Sequence, residues 1–238
     1  MADKIGYNRK LCIATPFYDR RACSDYVMAL VNTVRVLEKT GIDFDIITAG
    51  DSYVGRARNA ICHRFLKSDC DDLFFIDSDE SWDVEGFFRI LMLPFDVVGG
   101  VYKMKNGWDR WTANFAKQGN QLLGKMLGPD TAIVKANFIP CGFMRLRRQA
   151  LESFRDAYPT LRYIDECQDG ESITQFFECS VINGVYTGED ASFCYHWGAM
   201  GGEIWVEPNV TITHFGMTGW EGNFAKEMKG EKREAAHV

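Results

Sequence analysis

The sequence has 238 residues, of which 46% are hydrophobic and 25% are charged, and this length and composition are typical of a single globular domain. The formal net charge of -6 argues against a large basic surface for nucleic acid or for an anionic membrane. The eight cysteines have no zinc-like or CxxC spacing, and no apolar run approaches the roughly 18 residues that a membrane span needs. We therefore expect reduced, mostly buried thiols, no signal peptide or membrane segment, and a cytoplasmic protein.

The first half of the chain alternates predicted strands with predicted helices. We expect Thr15-Pro16 to end the first strand, Ser24 to cap the first helix and Gly41 to end that helix. Such alternation is typical of a largely parallel sheet. Strands are predicted at 11–14, 42–48, 73–76 and 97–102, and helices at 26–39, 56–67 and 84–93.

Beyond Lys103 the pattern changes to short apolar runs separated by glycine-containing turns, which is more typical of antiparallel ribbons than of crossover units. From Lys226 onward the chain is charged and lacks apolar periodicity, which predicts a mobile tail or a short solvated helix. Ribbon strands are predicted at 111–115, 122–127 and 132–139, helices at 148–154 and 189–197, and late strands at 204–206 and 211–213.

The triplet Asp77-Ser78-Asp79 follows the strongly apolar strand predicted at 73–76. In open α/β sheets, ligands bind outside the carboxyl ends of the strands. Two carboxylates with one residue between them project to the same side of an extended chain, so both can approach one hard cation and the diphosphate oxygens that it bridges. Acidic residues also end strands and cap helices without any function, and the triplet alone therefore leaves both interpretations open.

The context of this triplet resembles GT-A glycosyltransferases, in which an Asp-x-Asp element follows a strand in the middle of a nucleotide-binding half. Four further places carry the resemblance, which covers most of residues 10–216: Ala14-Thr15-Pro16-Phe17-Tyr18, Gly55-Arg56-Ala57-Arg58-Asn59-Ala60, Gly188-Glu189-Asp190 and His214. It implies a GT-A type α/β fold, with a Rossmann-like, mostly parallel central sheet, helices on both faces and a smaller antiparallel ribbon on the acceptor side.

The resemblance also implies a site for a nucleotide-diphosphate sugar that is UDP- or GDP-linked. The first motif would flank the donor base, Arg58 would lie near the phosphates, and Gly142 belongs to a stretch that resembles the floor beneath the donor sugar. Asp51 resembles an acidic position that contacts the base in uridine-using relatives, although Asp51-Ser52 is also a good turn or cap. The implied donor-binding residues are Thr15, Pro16, Tyr18, Asp51, Arg58, Asp77, Ser78, Asp79 and Gly142.

The same resemblance implies a metal site and a catalytic base. Asp79 would ligate Mn²⁺ or Mg²⁺ directly, Asp77 would contact the ribose or reach the metal through water, and His214 would complete the metal shell. A lone histidine among apolar residues is also often a packed core residue. Asp190 would deprotonate an acceptor hydroxyl, on a glycan or another molecule, and Glu189 would orient the acceptor or Asp190, with exchanged roles left open.

These implications predict one catalytic domain over 1–224, with a donor half at about 1–103 and an acceptor half at about 104–224, followed by a charged tail at 225–238. We expect sugar transfer with inversion. The alternatives are a retaining transferase on the same fold, a non-catalytic sugar-nucleotide-binding module and a phosphatase of the haloacid dehalogenase kind. In such phosphatases the Asp-x-Asp motif ends the first strand, whereas here two predicted strands precede it. Trp108, Trp111 and Trp197 are candidates to stack on acceptor rings.

Overall fold

The computed structural model describes residues 6–105, 110–128, 131–216 and 219–229. Its helices are α1 (Ser24–Thr40), α2 (Val54–Lys67), α3 (Val84–Met92), α4 (Arg148–Ala157), α5 (Glu189–Ala199) and α6 (Phe224–Met228), with one 3₁₀ turn at Glu166–Gln168. Its strands are β1 (Leu11–Phe17), β2 (Phe44–Gly50), β3 (Asp72–Ile76), β4 (Glu80–Trp82), β5 (Val97–Gly99), β6 (Asn114–Phe115), β7 (Lys117–Gln118), β8 (Gln121–Leu122), β9 (Gly124–Gly128), β10 (Thr131–Phe138), β11 (Phe143–Arg147), β12 (Arg162–Asp165), β13 (Glu171–Thr174), β14 (Ser180–Ile182), β15 (Val185–Thr187), β16 (Ile204–Val206), β17 (Thr211–Phe215) and β18 (Gly219–Asn223).

The largest sheet has nine strands in the order β2-β1-β3-β11-β5-β16-β10-β6, with β9 also paired to β10. β1 is parallel to both β2 and β3, and β16 is parallel to β5. β11 and β10 run antiparallel to their neighbours, so all strands of this sheet except these two point the same way. The predicted α/β fold, with a mostly parallel central sheet and small antiparallel additions, is confirmed.

Side chains that alternate along the strands enter two separate cores, one on each face of the sheet. On one face, Phe75 of β3 is buried with Phe65 of α2 and Phe154 of α4. On the other face, Phe74 of β3 stacks on Phe87 of α3, with ring centroids 4.5 Å apart. Helices therefore cover both faces, and the polar side chains that remain at the strand ends lie at the sheet edge.

β11 is the main element that the sequence did not predict, since only its first two residues belong to the segment 139–144 that resembles the floor of the donor site. It lies between β3 and β5, and Phe143 is the register partner of Ile76. Arg145 interrupts its apolar pattern, yet this side chain is buried and its guanidinium donates hydrogen bonds to the carbonyls of Leu93, at 2.5 Å, and Phe95. The buried carboxylate of Asp72, whose Oδ1 lies 3.5 Å from Arg145 Nη1, balances the charge, and together with the carbonyls it allows a charged residue in a central strand.

Two of the predicted boundaries that the structure moves lie near the start of the chain. β1 continues through Pro16 to Phe17, because the pairing with β3 ends at Ala14 and the missing proline N–H is not needed beyond that point. The N-cap of α1 is Cys23, whose Sγ accepts the backbone N–H of Tyr26 at 3.3 Å, whereas Ser24 had been expected to cap the helix. Gly41 ends α1 with a φ of 68°, as predicted.

The C-terminal segment contains one short helix, α6. α6 occupies the start of the predicted charged tail, and its first residue, Phe224, is buried against Phe115. Residues 230–238 and Trp108 lie outside the described residues.

All eight cysteines are in the described part of the chain, where they form no disulfide, and five of them are buried. Among the described helices, none combines the length and the apolar character that crossing a membrane requires.

Candidate functional site

The carboxyl ends of β1, β2 and β3 enclose a small cleft of about 130 Å³. Because these strands are parallel, the residues that follow each of them meet at the same edge of the sheet. Thr15 lies beneath this edge, fully buried, with its hydroxyl 2.6 Å from that of Tyr26. The cleft is lined by Pro16, Phe17, Tyr18, Asp51, Val54, Ala57, Asp77, Ser78 and Asp79. Most of the donor-binding residues expected from the sequence therefore line one cleft.

Arg58 of α2 connects this cleft to the Glu189-Asp190 pair. Its side chain is only 4% exposed, and one guanidinium nitrogen, Nη2, lies 2.9 Å from each carboxylate oxygen of Asp77. The other terminal nitrogen, Nη1, donates to Glu189. Burial opposes the charged form of Arg58, but the surrounding carboxylates, Asp77 first, outweigh it and raise its pKa further. A permanently charged guanidinium thus joins two motifs that are far apart in the sequence.

Glu189 and Asp190 form the first turn of α5, where the helix dipole favours negative charge. Glu189 is held by Arg58, while Oδ1 of Asp190 accepts the N–H of Ala191 at 2.7 Å. Burial, together with the like charge of Glu189, raises the pKa of Asp190 above its usual value. A carboxylate whose pKa is raised in this way is a better proton acceptor near neutral pH.

Asp79 belongs to a second group of side chains, with Glu80 and His214. β4 and β17 are antiparallel neighbours, and Glu80 lies directly opposite His214 in their register, so both side chains are on one face of this small sheet. One ligand atom from each of the three residues lies within 4.8 Å of the other two. The ammonium group of Lys105 is paired with the Asp79 carboxylate, whose side chain is 46% exposed.

The hydrogen bonding of His214 suits a metal ligand. Its Nδ1 lies 3.1 Å from the carbonyl oxygen of Lys103, and because a carbonyl only accepts, Nδ1 carries the proton. In the neutral ring Nε2 then keeps a free lone pair, and it lies 3.9 Å from Asp79 Oδ1. Burial, together with the positive charge of Lys105, lowers the pKa of His214. Neutral imidazole and carboxylate oxygens are donors that Mn²⁺ accepts, so this group fits the expected cation.

Glu80 belongs to this group of side chains, although the sequence did not predict a role for it. It is 0% exposed, and within the described residues neither carboxylate oxygen has a partner with hydrogen-bond geometry. The hydroxyl of Tyr102 is close enough to favour the ionised form slightly, but burial, followed by the charge of Asp77, raises the pKa of Glu80 well above its usual value. The available signal was the alternation of Glu80 with the buried Trp82 along β4, which points both side chains inward.

Gly142 brings β11 directly beneath the acidic residues. Its carbonyl accepts the backbone N–H of Asp77 at 2.9 Å. A methyl group at Gly142 would collide with the Glu80 carboxylate and the Tyr102 hydroxyl, and would lie 2.9 Å from Asp77 Oδ2. The segment expected to form a floor therefore does lie against the carboxylates, and only a residue without a side chain fits there.

Asp51 has well-defined local contacts as well as its place in the cleft. Its Oδ1 accepts the N–H of Tyr53 at 2.9 Å, which forms a turn at the start of α2, and its Oδ2 accepts a hydrogen bond from Arg56 Nε at 2.6 Å.

Two of the tryptophans that were candidates to stack on acceptor rings have other contacts. Trp197 is buried, with its Nε1–H donated to the carbonyl of Glu203 at 3.1 Å, so its ring belongs to the core. Trp111 packs against the side chains of Lys103 and Phe224.

Comparison with known proteins shows similarity at the level of the fold. No protein-family model matches this chain, and no curated protein matches its sequence. Among solved structures, A197 from STIV is similar over 87% of this chain and 85% of its own, with 16% identity and a TM-score of 0.50. GalNAc-T7 in complex with UDP, GalNAc and Mn²⁺ is similar over 87% of this chain and 44% of its own, at 10% identity and a TM-score of 0.43. The inositol-1-phosphate CTP transferase from T. maritima is similar over 87% and 89%, at 9% identity and a TM-score of 0.43. The chain therefore shares an α/β fold with A197, and at these identities the similarity extends to the fold alone.

Proposed function

We propose that this chain is a metal-dependent glycosyltransferase that moves a sugar from a nucleotide diphosphate, UDP- or GDP-linked, to an acceptor hydroxyl with inversion. One observation carries the proposal: Arg58 binds both Asp77 and Glu189. This contact joins the cleft that Asp77 and Asp79 line to the pair Glu189-Asp190, although the two come from distant parts of the chain. We assign this activity to a catalytic domain over 1–224, with a donor half at about 1–103 and an acceptor half at about 104–224.

The donor would bind in the cleft at the ends of β1, β2 and β3. Pro16, Tyr18 and Asp51 line its side walls, and Asp77 lines the end nearest Arg58. Because Arg58 Nη2 donates to the oxygens of Asp77, we assign this carboxylate to the ribose or to a cation-bound water. Gly142 beneath the carboxylates supports its assignment to the floor of the sugar site.

Asp79 and His214 would hold Mn²⁺ or Mg²⁺, with the donor diphosphate completing the coordination. The chemistry that a divalent cation supplies there is neutralisation of the charge on the diphosphate leaving group. Lys105, which pairs with Asp79, adds a further positive charge at the same place. The acceptor is a glycan or another molecule that carries a hydroxyl group.

Asp190 would act as the base. It would take the proton from the acceptor hydroxyl as that oxygen forms a bond to the anomeric carbon and the bond from this carbon to the diphosphate oxygen breaks. Attack on the side opposite the nucleotide inverts the anomeric configuration. Glu189, held by Arg58, would orient the acceptor and keep Asp190 in position. The raised pKa of Asp190 supports its role as the proton acceptor.

The test begins with a thermal-shift screen of nucleoside diphosphates with and without Mn²⁺ or Mg²⁺, because a ligand that binds only the folded state stabilises it. The expected result is stabilisation by UDP or GDP that requires the metal, followed by sugar transfer from the matching donor. NMR of the product then gives its anomeric configuration, and a retained configuration would contradict inversion. Nucleotide binding without transfer or donor hydrolysis identifies a binding module, and phosphate release from phosphate esters identifies a phosphatase.

A further inference from the structure

Glu80 is a buried acid without an evident structural purpose. It is 0% exposed, and although the Tyr102 hydroxyl lies close to its carboxylate, among the described residues neither oxygen has a partner with hydrogen-bond geometry. Burial of a carboxyl group without partners costs free energy, and such groups in folded proteins are usually paired or coordinate metals. Glutamine or an apolar residue would fill the same volume at lower cost. The chain therefore carries a destabilising group at the one place where Asp79 and His214 approach each other.

The backbone directs this group toward the same point as the two expected ligands. Glu80 and His214 are paired across β4 and β17, and the backbone carbonyl of Asp79 accepts the N–H of Phe215 at 2.7 Å, which ties the two strands together there. The ring of Tyr102 packs on His214 with centroids 4.6 Å apart. The three ligand atoms lie within 4.8 Å of one another, so one ion can be shared among them after small side-chain movements.

Asp77 does not belong to this group. Arg58 Nη2 lies 2.9 Å from both of its oxygens, and the guanidinium is buried. Releasing Asp77 to a cation would leave Arg58 with one carboxylate fewer in a buried site, which is unfavourable. Glu80 gives up no such partner when it binds a cation.

We propose that Glu80, and not Asp77, is the third protein ligand of the divalent cation held by Asp79 and His214. The inference rests on the proposed function, because that function requires a cation. The ligand set of two carboxylates and one imidazole is suited to Mn²⁺. A role as a cation ligand explains why Glu80, a buried carboxyl group, stands opposite His214.

The test measures binding of Mn²⁺ alone by calorimetric titration, without donor or acceptor. Glu80→Gln keeps the shape of the side chain and removes its charge. We expect Mn²⁺ to bind this variant about 10–100-fold more weakly than the wild type, since loss of even an outer-shell partner costs that much. Asp77→Asn is expected to lose less affinity than Glu80→Gln, because Asp77 would act on the ion only through water. The matched control is Glu207→Gln, because Glu207 is only 2% exposed and its Oε2 also has no hydrogen-bond partner in the described residues.

A second variant makes the test independent of any loss of folding. Glu80→Cys replaces the carboxylate with a softer ligand, so the ratio of Cd²⁺ affinity to Mn²⁺ affinity rises if residue 80 touches the ion. An unchanged ratio, Mn²⁺ binding by Glu80→Gln equal to that of Glu207→Gln, or an equal loss in Asp77→Asn would each overturn the inference. These results leave the proposed function standing when the wild type still binds Mn²⁺. A wild type that binds no Mn²⁺, with or without nucleoside diphosphate, overturns both.

Discussion

Arg58 binds Asp77 through a single guanidinium nitrogen that lies 2.9 Å from each of the two carboxylate oxygens. The same guanidinium donates its other terminal N–H group to Glu189. One buried cation thus fixes the relative positions of the cleft at the ends of β1, β2 and β3 and the carboxylate pair at the start of α5. Its removal is expected to affect both stability and chemistry.

Arg58→Met would leave two carboxylates without their shared cation. Removing one partner of a buried ion pair costs about 3–5 kcal/mol, and we expect the lower end of this range because the Asp77 side chain is 23% exposed. Urea denaturation measures the free energy of unfolding. The control is Arg56→Met on the same helix, whose ion pair with Asp51 is more exposed and is worth about 0–1 kcal/mol. Equal losses in the two variants would contradict the bridging role of Arg58.

Asp190→Asn tests the assignment of the base. The amide cannot take a proton from the acceptor, so we expect kcat to fall by about 10²–10⁴-fold. Binding of Mn²⁺ and nucleoside diphosphate should be unchanged, because Asp190 lies outside both groups of residues that would hold them. Calorimetric titration and initial-rate assays measure the two properties separately. Turnover at the wild-type rate would exclude Asp190 as the base.

The pH dependence of kcat should follow the ionisation of the Asp190 carboxyl group. Burial and the charge of Glu189 raise its pKa, and a base works only when ionised. Activity should therefore be lost as pH falls, with an acid limb above the value of about 3.9 that is usual for aspartate. Glu189→Gln removes the like charge and should shift this limb to lower pH. An acid limb that stays in place in Glu189→Gln would show that another group sets it.

Lys105 competes with a metal ion for Asp79, since its ammonium group is paired with that carboxylate. Lys105→Gln removes a positive charge from the cation site, so Mn²⁺ should bind this variant several-fold more tightly in the absence of nucleotide. The gain should shrink at high salt, because screening weakens the repulsion that the lysine exerts. The control is Lys117→Gln, at an exposed position on β7. Weaker Mn²⁺ binding in Lys105→Gln would mean that the lysine supports the site instead.

Gly142→Ala tests the close packing beneath the acidic residues. The added methyl group would meet the Glu80 carboxylate and the Tyr102 hydroxyl, and overpacking of this kind costs about 1–3 kcal/mol. Gly198→Ala is the matched control, because Gly198 lies within α5 and a methyl group there would contact nothing within 4 Å. That substitution should be stabilising, by up to about 1 kcal/mol. Thermal or chemical denaturation compares the two.

The sequence was most informative where local pattern and environment agree. The apolar runs at 73–76 and 204–206 predicted strands, and both belong to fully buried strands of the central sheet, β3 and β16. The acidic triplet could be assigned to a strand end because β3 is continuously apolar before Asp77. These features depend on neighbours in the chain, and a single sequence contains them.

Other features depend on partners that are distant in the chain. β11 was missed because Arg145 suggests a solvent-exposed segment. Its burial is explained by the carbonyls of Leu93 and Phe95 that accept its hydrogen bonds and by the nearby carboxylate of Asp72. Glu80 was missed because its relation to His214 arises from the pairing of β4 with β17. The contact of Arg58 with Glu189 likewise requires that α2 and α5 approach each other, which no local pattern predicts.

The position of β11 has a consequence for how the molecule is made. β11 lies between β3 and β5 in the sheet. One edge of β3 therefore stays unpaired until residues 143–147 have been synthesised. A fragment that stops at residue 103 would leave one edge of β3 and both edges of β5 unpaired and would tend to aggregate. Two pieces divided there should recover a native sheet only when they are produced together, as complementing halves of one cooperative unit.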